Sequence, residues 1–600
     1  MKIIFFIFIF LFSGATFSKN TLDETYRQSL IQIINNKSLD ENEKITRLFN
    51  ADFLYELSLS PSSATYLGFK KYDDRWADLT SQKRAEMRLA LHKTLDAINK
   101  INLKKLSTDN QLNYNLFKRK LLLQIEAESF PSEFFVLTQM DGPQRNIPAT
   151  LASMPAKTLT DYNNILSRLR DMPRYLDQAQ DLMENGLSEN ITPPQITLAD
   201  VPRQIRSIIP DDPMASPLLA AFTKIPNTLS LEDQNKLKQQ AIAVYSKKVK
   251  PAWQKLLTFI EKKYIAGARK EIALSKISNG KKWYQFQVKS YTTTNMTPEQ
   301  IHQLGLTEVK RIRAEMKALI KQSGFKGSFN DFLEFLRTDP QFFFTKAEDL
   351  MREYRDIAKR VDGELPTMFS VLPRLTYGVK EIPANEAKAQ TTAYYQGGSM
   401  RASRSGTFYA NTYALNTRPK WEMVALTMHE AVPGHHLQIS LAQELDGLPE
   451  FRKHAGITAF VEGWALYSEQ LGYGMGLYRT PYEKFGQLTY EMWRAVRLVV
   501  DTGMHSLGWS RQQSIDFFKA NSSKSEHDIQ VEIDRYIAWP GQALAYKIGQ
   551  LKISSLRAKA EKALGANFDI REFHKIVLEN GAIPLDVLEQ KVNDWIKQQS

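Results

Sequence analysis

Along most of this chain, apolar residues recur every three or four positions with charged residues between them. That spacing gives a helix one buried stripe and one solvated face. Residues 21 to about 128 follow it, most clearly over 85 to 101, and so do 159–187 and 231–266. The stretch 189–217 carries six prolines and reads as a long loop around a short helix near 200–208. Thr297, Pro298 and Glu299 supply a cap, a first-turn proline and an early acid, so a helix should start there and helices should continue to about 362. Helices dominate again from Trp421 onward. Three stretches break the pattern. Trp283, Phe286, Val288 and Tyr291 suggest a strand over 280–291, and Tyr394-Tyr395 and GTFYANT (406–412) suggest two more. The expected architecture is mainly α with a small β-sheet, and the absence of strand–helix alternation argues against a doubly wound sheet.

The 600 residues suffice for more than one domain or one large one. The expected organisation is a leader over 1–18, a helical region over 19–270 and a catalytic region over 271–600. The leader follows from Lys2, the ten-residue apolar run Ile3 to Phe12 and the small residues after it. The run is too short to span a bilayer and reads as an export signal cleaved after Ala15 or Ser18. No cysteine follows it to carry a lipid, and no later segment nears eighteen consecutive apolar residues, so no stable membrane span is expected after processing. Cysteine is absent throughout, which removes disulfides, thiolate catalysis and cysteine metal ligands. The formal charge of +13 raises nucleic-acid binding, but lysine and arginine are scattered over helical faces without a dense basic arm, and the export pattern argues against it.

Three histidines fall within eight residues, in HEAVPGHH: His429, His435 and His436, with Glu430 directly after the first. This begins like the H-E-x-x-H zinc motif, in which two histidines hold the ion and the glutamate is the general base. The spacing departs from it, because Pro433 stands where the second ligand would lie. On a regular helix the later histidines would be roughly 9–10.5 Å from His429 along the axis, too far for one ion. Pro433 and Gly434 can break the helix and return either His435 or His436 to the metal. In FVEGWALYSEQL, Glu462 lies twenty-seven residues after His435, and Glu469 seven further on shares its helical face. Glu462 sits among apolar residues and needs a partner there. It is the candidate third ligand, with Glu469 orienting a ligand histidine from behind. Arg497 and Asp501 stand at ion-pair spacing on one predicted helix, and Arg494, Arg497 and Arg535 could instead clamp a substrate carboxylate.

HEAVPGHHLQ, FVEGWALYSE, DTGMHSLGWS and RYIAWPGQALAYKIG, with YTTTNMTPEQIHQLGL and GTFYANT, together resemble a large bacterial family known as a domain of unknown function and grouped with the zincin metallopeptidases. The resemblance spans roughly residues 40–590. The layout is also similar to the helical zincins that include oligopeptidases and peptidyl dipeptidases, which take a glutamate ligand from an E-x6-E helix. The resemblance implies a large helical zincin-like fold of the gluzincin type with its sheet near the cleft. It also implies His435 as second ligand, with His436 a neighbour, and a tyrosine or histidine from a later helix as oxyanion donor: His505, Tyr536 or Tyr546.

The resulting expectation is an exported metallopeptidase with one zinc per chain on His429, His435 and Glu462, acting on peptides outside the cytoplasm. Glu430 would be the base, His505 or Tyr546 the oxyanion donor, and Asn411 on the GTFYANT strand a substrate contact. The alternatives are a non-catalytic envelope module stabilised by a metal, or hydrolysis of cell-wall peptides or other amides. A structural metal site needs no base, so Glu430 separates the first alternative from catalysis. A serine hydrolase is disfavoured because no G-x-S-x-G occurs.

Overall fold

The computed structural model describes residues 22–388 and 390–599, so the expected leader lies outside the described residues. The chain forms two compact units, one of residues 22–56 with 81–125 and one of residues 57–80 with 126–599. No division falls at 270. Trp76 and the segments on both sides of the proline-rich loop bury into one core, and residues 126–270 belong to the same unit as residues 271–599.

The smaller unit is built from the helices Leu22–Asn35, Glu41–Leu59, Ser81–Ile98 and Thr108–Ala127. Tyr26 and Tyr55 stack at 4.1 Å, and Phe49 meets Phe117 edge-on at 5.0 Å. Asp52, buried beneath them, accepts from Tyr26 Oη at 3.0 Å and pairs with Lys120 at 3.1 Å.

The larger unit is also mainly helical. Helix α1 (Leu159–Ser188) opens on a capping box made by Thr158 and Asp161 and buries Ile165, Leu169, Met172 and Leu176 along one stripe. Helix α2 (Pro298–Gln322) starts where the sequence signals it, with a capping box between Thr297 and Gln300 and proline in the first turn. Residues 280–291, read as a strand, belong instead to a helix, Gly280–Thr292. Its buried residues Trp283, Tyr284, Val288 and Thr292 are spaced for a helical face, and that packing overrides the strand preference of its aromatic residues.

Three strands form the sheet: β1 (Tyr377–Glu381), β2 (Ala393–Gln396) and β3 (Gly406–Ala410), in the order β1-β3-β2. β1 runs parallel to β3, and β2 antiparallel to it. The GTFYANT strand is therefore central, with both its edges occupied, and offers none to a substrate. Of the helices that follow, six shape the site: α3 (Met423–Glu430), α4 (His435–Glu444), α5 (Thr458–Gly474), α6 (Pro481–His505), α7 (Glu526–Ala538) and α8 (Ala545–Leu564). α5 and α8 cross with their backbones touching at Gly463 and Gly549, where a Cβ on Gly549 would lie 1.8 Å from the Ala459 carbonyl oxygen. The crossing brings the residues beside those glycines, Glu462 and Tyr546, onto one cleft. Among the described residues no helix is long and apolar enough to cross a membrane.

Candidate metal centre and cleft

α3 ends at Glu430, and a new helix begins at His435. The four residues between them, Ala431 to Gly434, break the helix, with a cis peptide between Val432 and Pro433. Gly434 passes so close to α3 that a Cβ there would lie 2.0 Å from the His429 carbonyl oxygen and 2.4 Å from that of Met428. Only glycine allows this approach. It places the His429 and His435 rings 4.8 Å apart between centroids, at 86° to one another.

Glu462 meets them from α5. Its Oε2 lies 3.3 Å from His435 Nε2 and 3.7 Å from His429 Nε2, and the donor atoms of all three residues lie within 4.8 Å of one another. Donors bound tetrahedrally at zinc's usual bond lengths are spaced by about 3.3 Å. Glu462 Oε2 is buried without a hydrogen-bond partner, as is His435 Nδ1. Two imidazoles and a carboxylate are ligands suited to zinc, and three of them leave a position open. His429 is held from behind: its Nδ1–H donates to Glu469 Oε1 at 2.9 Å, which turns Nε2 toward Glu462. Burial raises the Glu462 pKa, but the His435 and His429 imidazoles outweigh it and hold the carboxyl well below its usual range. For His429 burial acts downward, and the neighbouring carboxylates of Glu462 and Glu469 more than reverse it, so its pKa is raised.

His436 does not join the cluster. Its Nδ1 lies 2.8 Å from Tyr395 Oη and 3.3 Å from Ser440 Oγ, and burial pushes its pKa down to about 4, which keeps it neutral. Of the two histidines the sequence left open, His435 is the one that converges with His429 and Glu462.

The three donors open onto a cleft of about 710 Å³, which Glu430, Tyr546, Arg494, Arg497 and Arg535 also line. Tyr546 lies parallel to His429 at 6.3 Å between centroids, and its hydroxyl oxygen accepts from Arg535 Nη2 at 2.9 Å. β2 and the residues before it, Gln390 to Gln396, form another wall, with Thr407 and Tyr409 of β3.

Four expected site residues lie elsewhere. His505 is fully buried, with Nδ1 accepting from the Leu274 N–H at 3.0 Å and Nε2 donating to the Tyr536 carbonyl at 3.0 Å. Burial lowers its pKa to about 4, and a neutral imidazole with both nitrogens engaged cannot serve an oxyanion. Tyr536 is enclosed by Trp493, Arg497 and Glu532. Asp501 does not pair with Arg497. It accepts from Tyr284 Oη at 2.6 Å and from the Gly541 N–H at 3.1 Å, while Arg497 faces α7 and pairs with Glu532 at 2.9 Å. Asn411 donates to the carbonyls of Ala387, Gln390 and Thr391, pinning the segment that leads into β2. Sequence reasoning missed Glu532, although its position three and four residues before Arg535 and Tyr536 puts it on their helical face. It also read Tyr394-Tyr395 only as a strand and missed that residues 390–396 wall the cleft.

The fold has solved relatives. A Colwellia psychrerythraea protein provisionally named a lipoprotein superposes with a TM-score of 0.88 at 29% identity, covering 93% of this chain and all of its own. A Shewanella oneidensis protein of unknown function, also provisionally named a lipoprotein, shares the fold with a TM-score of 0.67 at 18% identity, over 91% of this chain and 99% of its own. No curated protein matches. Residues 61–592 match the family described as bacterial protein of unknown function (DUF885), and the chain belongs to that family.

Proposed function

We propose that this protein is an exported zinc-dependent peptidase that hydrolyses short peptides, related to the helical zincins. The observation that carries the reading is the convergence of His429, His435 and Glu462 in the cleft, with a glutamate next in sequence to the first histidine and also on the cleft. The Glu462–Glu469 pair on α5, with Glu469 behind His429, supports the zincin relationship. The leader pattern of the first eighteen residues supports export, as does the name of the Colwellia psychrerythraea relative.

His429, His435 and Glu462 would hold the ion. When bound, zinc supplies Lewis acidity and lowers the pKa of an attacking water to about 7. Glu430 takes a proton from that water as its oxygen adds to the scissile carbonyl carbon. It returns the proton to the amide nitrogen as the C–N bond breaks. Arg535 donates to the Tyr546 oxygen, leaving that hydroxyl's own proton for the developing oxyanion. One such donor is worth roughly 3–4 kcal/mol in the transition state. β2 lines the cleft and has a single sheet neighbour among the described residues, so its outer edge could pair with an extended substrate.

The test is zinc content and peptide turnover of wild type and Glu430→Gln, measured on the same preparations. Wild type should bind about one zinc per chain. Glu430→Gln should keep zinc and fold while turnover falls at least about 100-fold, the low end for a positioned base. A wild type that takes up zinc but turns over no peptide would leave a metal-stabilised binding module. Normal turnover by zinc-loaded Glu430→Gln would remove Glu430 as the base.

A further inference from the structure

The cleft carries more positive charge than its own carboxylates balance. Among the described residues that line it are six arginines and lysines against three glutamates. Three of the six converge on one ring: the guanidinium carbons of Arg497, Arg535 and Arg494 lie 4.3, 5.9 and 6.0 Å from the Tyr546 centroid.

Their acidic partners are shared. Glu532 faces Arg497 at 2.9 Å and Arg535 at 3.5 Å, and also accepts from Tyr536. Glu469, 3.8 Å from Arg494, already accepts from His429. Each guanidinium keeps one buried nitrogen without an acceptor: Nε of Arg494, Nη1 of Arg497 and Nε of Arg535. Arg497 is only 2% exposed, so its free N–H is held out of water beside the cleft. Buried donors of a charged group are seldom left unmatched, and all three guanidiniums line the cleft, where an anion would offset their surplus charge.

We infer that Arg494, Arg497 and Arg535 form a receptor for the free C-terminal carboxylate of a peptide, so that cleavage falls within about three residues of that end. This rests on the peptidase reading of the same cleft. The register follows from distance. The Arg497 guanidinium carbon lies 4.3 Å and the His429 ring centroid 6.3 Å from the Tyr546 centroid, and at no more than about 3.6 Å per residue the reach between them holds at most about three peptide residues.

The experiment measures binding apart from turnover. An N-acetylated tripeptide with a free C-terminus and its C-terminal amide are titrated calorimetrically into zinc-loaded Glu430→Gln protein. The acid should bind at least about 30-fold more tightly, the range set by hydrogen bonds to a charged group. Adding Arg535→Gln should abolish the preference, and Arg535→Lys should restore part of it. Equal binding of acid and amide, binding of neither, or a preference that survives Arg535→Gln would each overturn the receptor. If Arg535→Gln does not fold, the acid–amide comparison on the parent protein decides. Wild-type hydrolysis separates the two readings. If the acid is preferred in binding but never cleaved, the peptidase reading fails and the receptor stands. If acid and amide are cleaved at equal rates, the peptidase reading stands and the receptor fails.

Discussion

Replacing Gly434 with alanine puts a methyl group 2.0 Å from the His429 carbonyl oxygen and 2.4 Å from that of Met428. Both neighbours are backbone, so no flexible side chain can move aside. Cβ contacts essentially never fall below 3.0 Å, so the turn must open by about 1 Å. The strain falls between His429 and His435, because Gly434 joins one to the other. Metal–ligand bonds tolerate about 0.2 Å, several times less than this displacement. Gly434→Ala should therefore lose at least about 100-fold in zinc affinity, or about 2.7 kcal/mol. The fold should survive, because residue 434 lies in a break between helices and not inside one. The assay is zinc retention against a competing chelator, with helical content followed by circular dichroism. Gly363→Ala is the control: it lies in the helix Ala347–Met368, its Cβ would meet nothing within 4 Å, and zinc binding should be unchanged. A Gly434→Ala protein that binds zinc within threefold of wild type would refute the argument that this close approach sets the ligand geometry.

Glu469→Gln keeps an acceptor for His429 Nδ1–H but removes the charge behind it, so zinc affinity should fall about 10- to 100-fold, and an unchanged affinity in chelator competition would deny Glu469 its supporting role. His505→Ala strands the Leu274 N–H and the Tyr536 carbonyl, each at about 1–3 kcal/mol, so the thermal midpoint should drop. Zinc content and turnover per folded molecule should hold, and a selective loss of turnover would return His505 to the chemistry. Burial raises the Asp501 pKa to about 7 from 3.8, so its stabilising contribution is full below 3.8 and is lost as pH rises through 7. Wild type should therefore gain on Asp501→Asn by up to about 1.4 kcal/mol per pH unit as pH falls from 7 to 4. Parallel urea-unfolding curves for the two proteins across that range would contradict this.

The helical character of this chain was legible because it depends on local periodicity. The start at Thr297, the long helix from Leu159 and the strands at 393–396 and 406–410 stand where spacing, caps and flanking turns put them. The segment 280–291 misled because its aromatic residues favour a strand in isolation, and only its packing showed which of them face the core. At the site, the residue types, the Pro-Gly interruption and the Glu462–Glu469 spacing were sequence facts. They sufficed to single out His429, Glu462 and a histidine after Gly434 as the group to be brought together.

The choice between adjacent histidines was not a sequence fact. It depends on how far the chain turns between α3 and α4, and the close approach at Gly434 sets that turn. Nor could helical spacing say that Arg497 would face Glu532 instead of Asp501, because an i,i+4 pair forms only if no neighbouring helix offers a better partner. His505 and Tyr546 were equal candidates by residue type. Packing buried one between two backbone groups, while the glycine crossing of α5 and α8 carried the other to the cleft. The chain by itself determined which groups could do chemistry and which segments would be helical, since both are local properties. Which groups meet was decided by helix crossings and chain reversals between residues tens to hundreds of positions apart, and no local pattern encodes those distances.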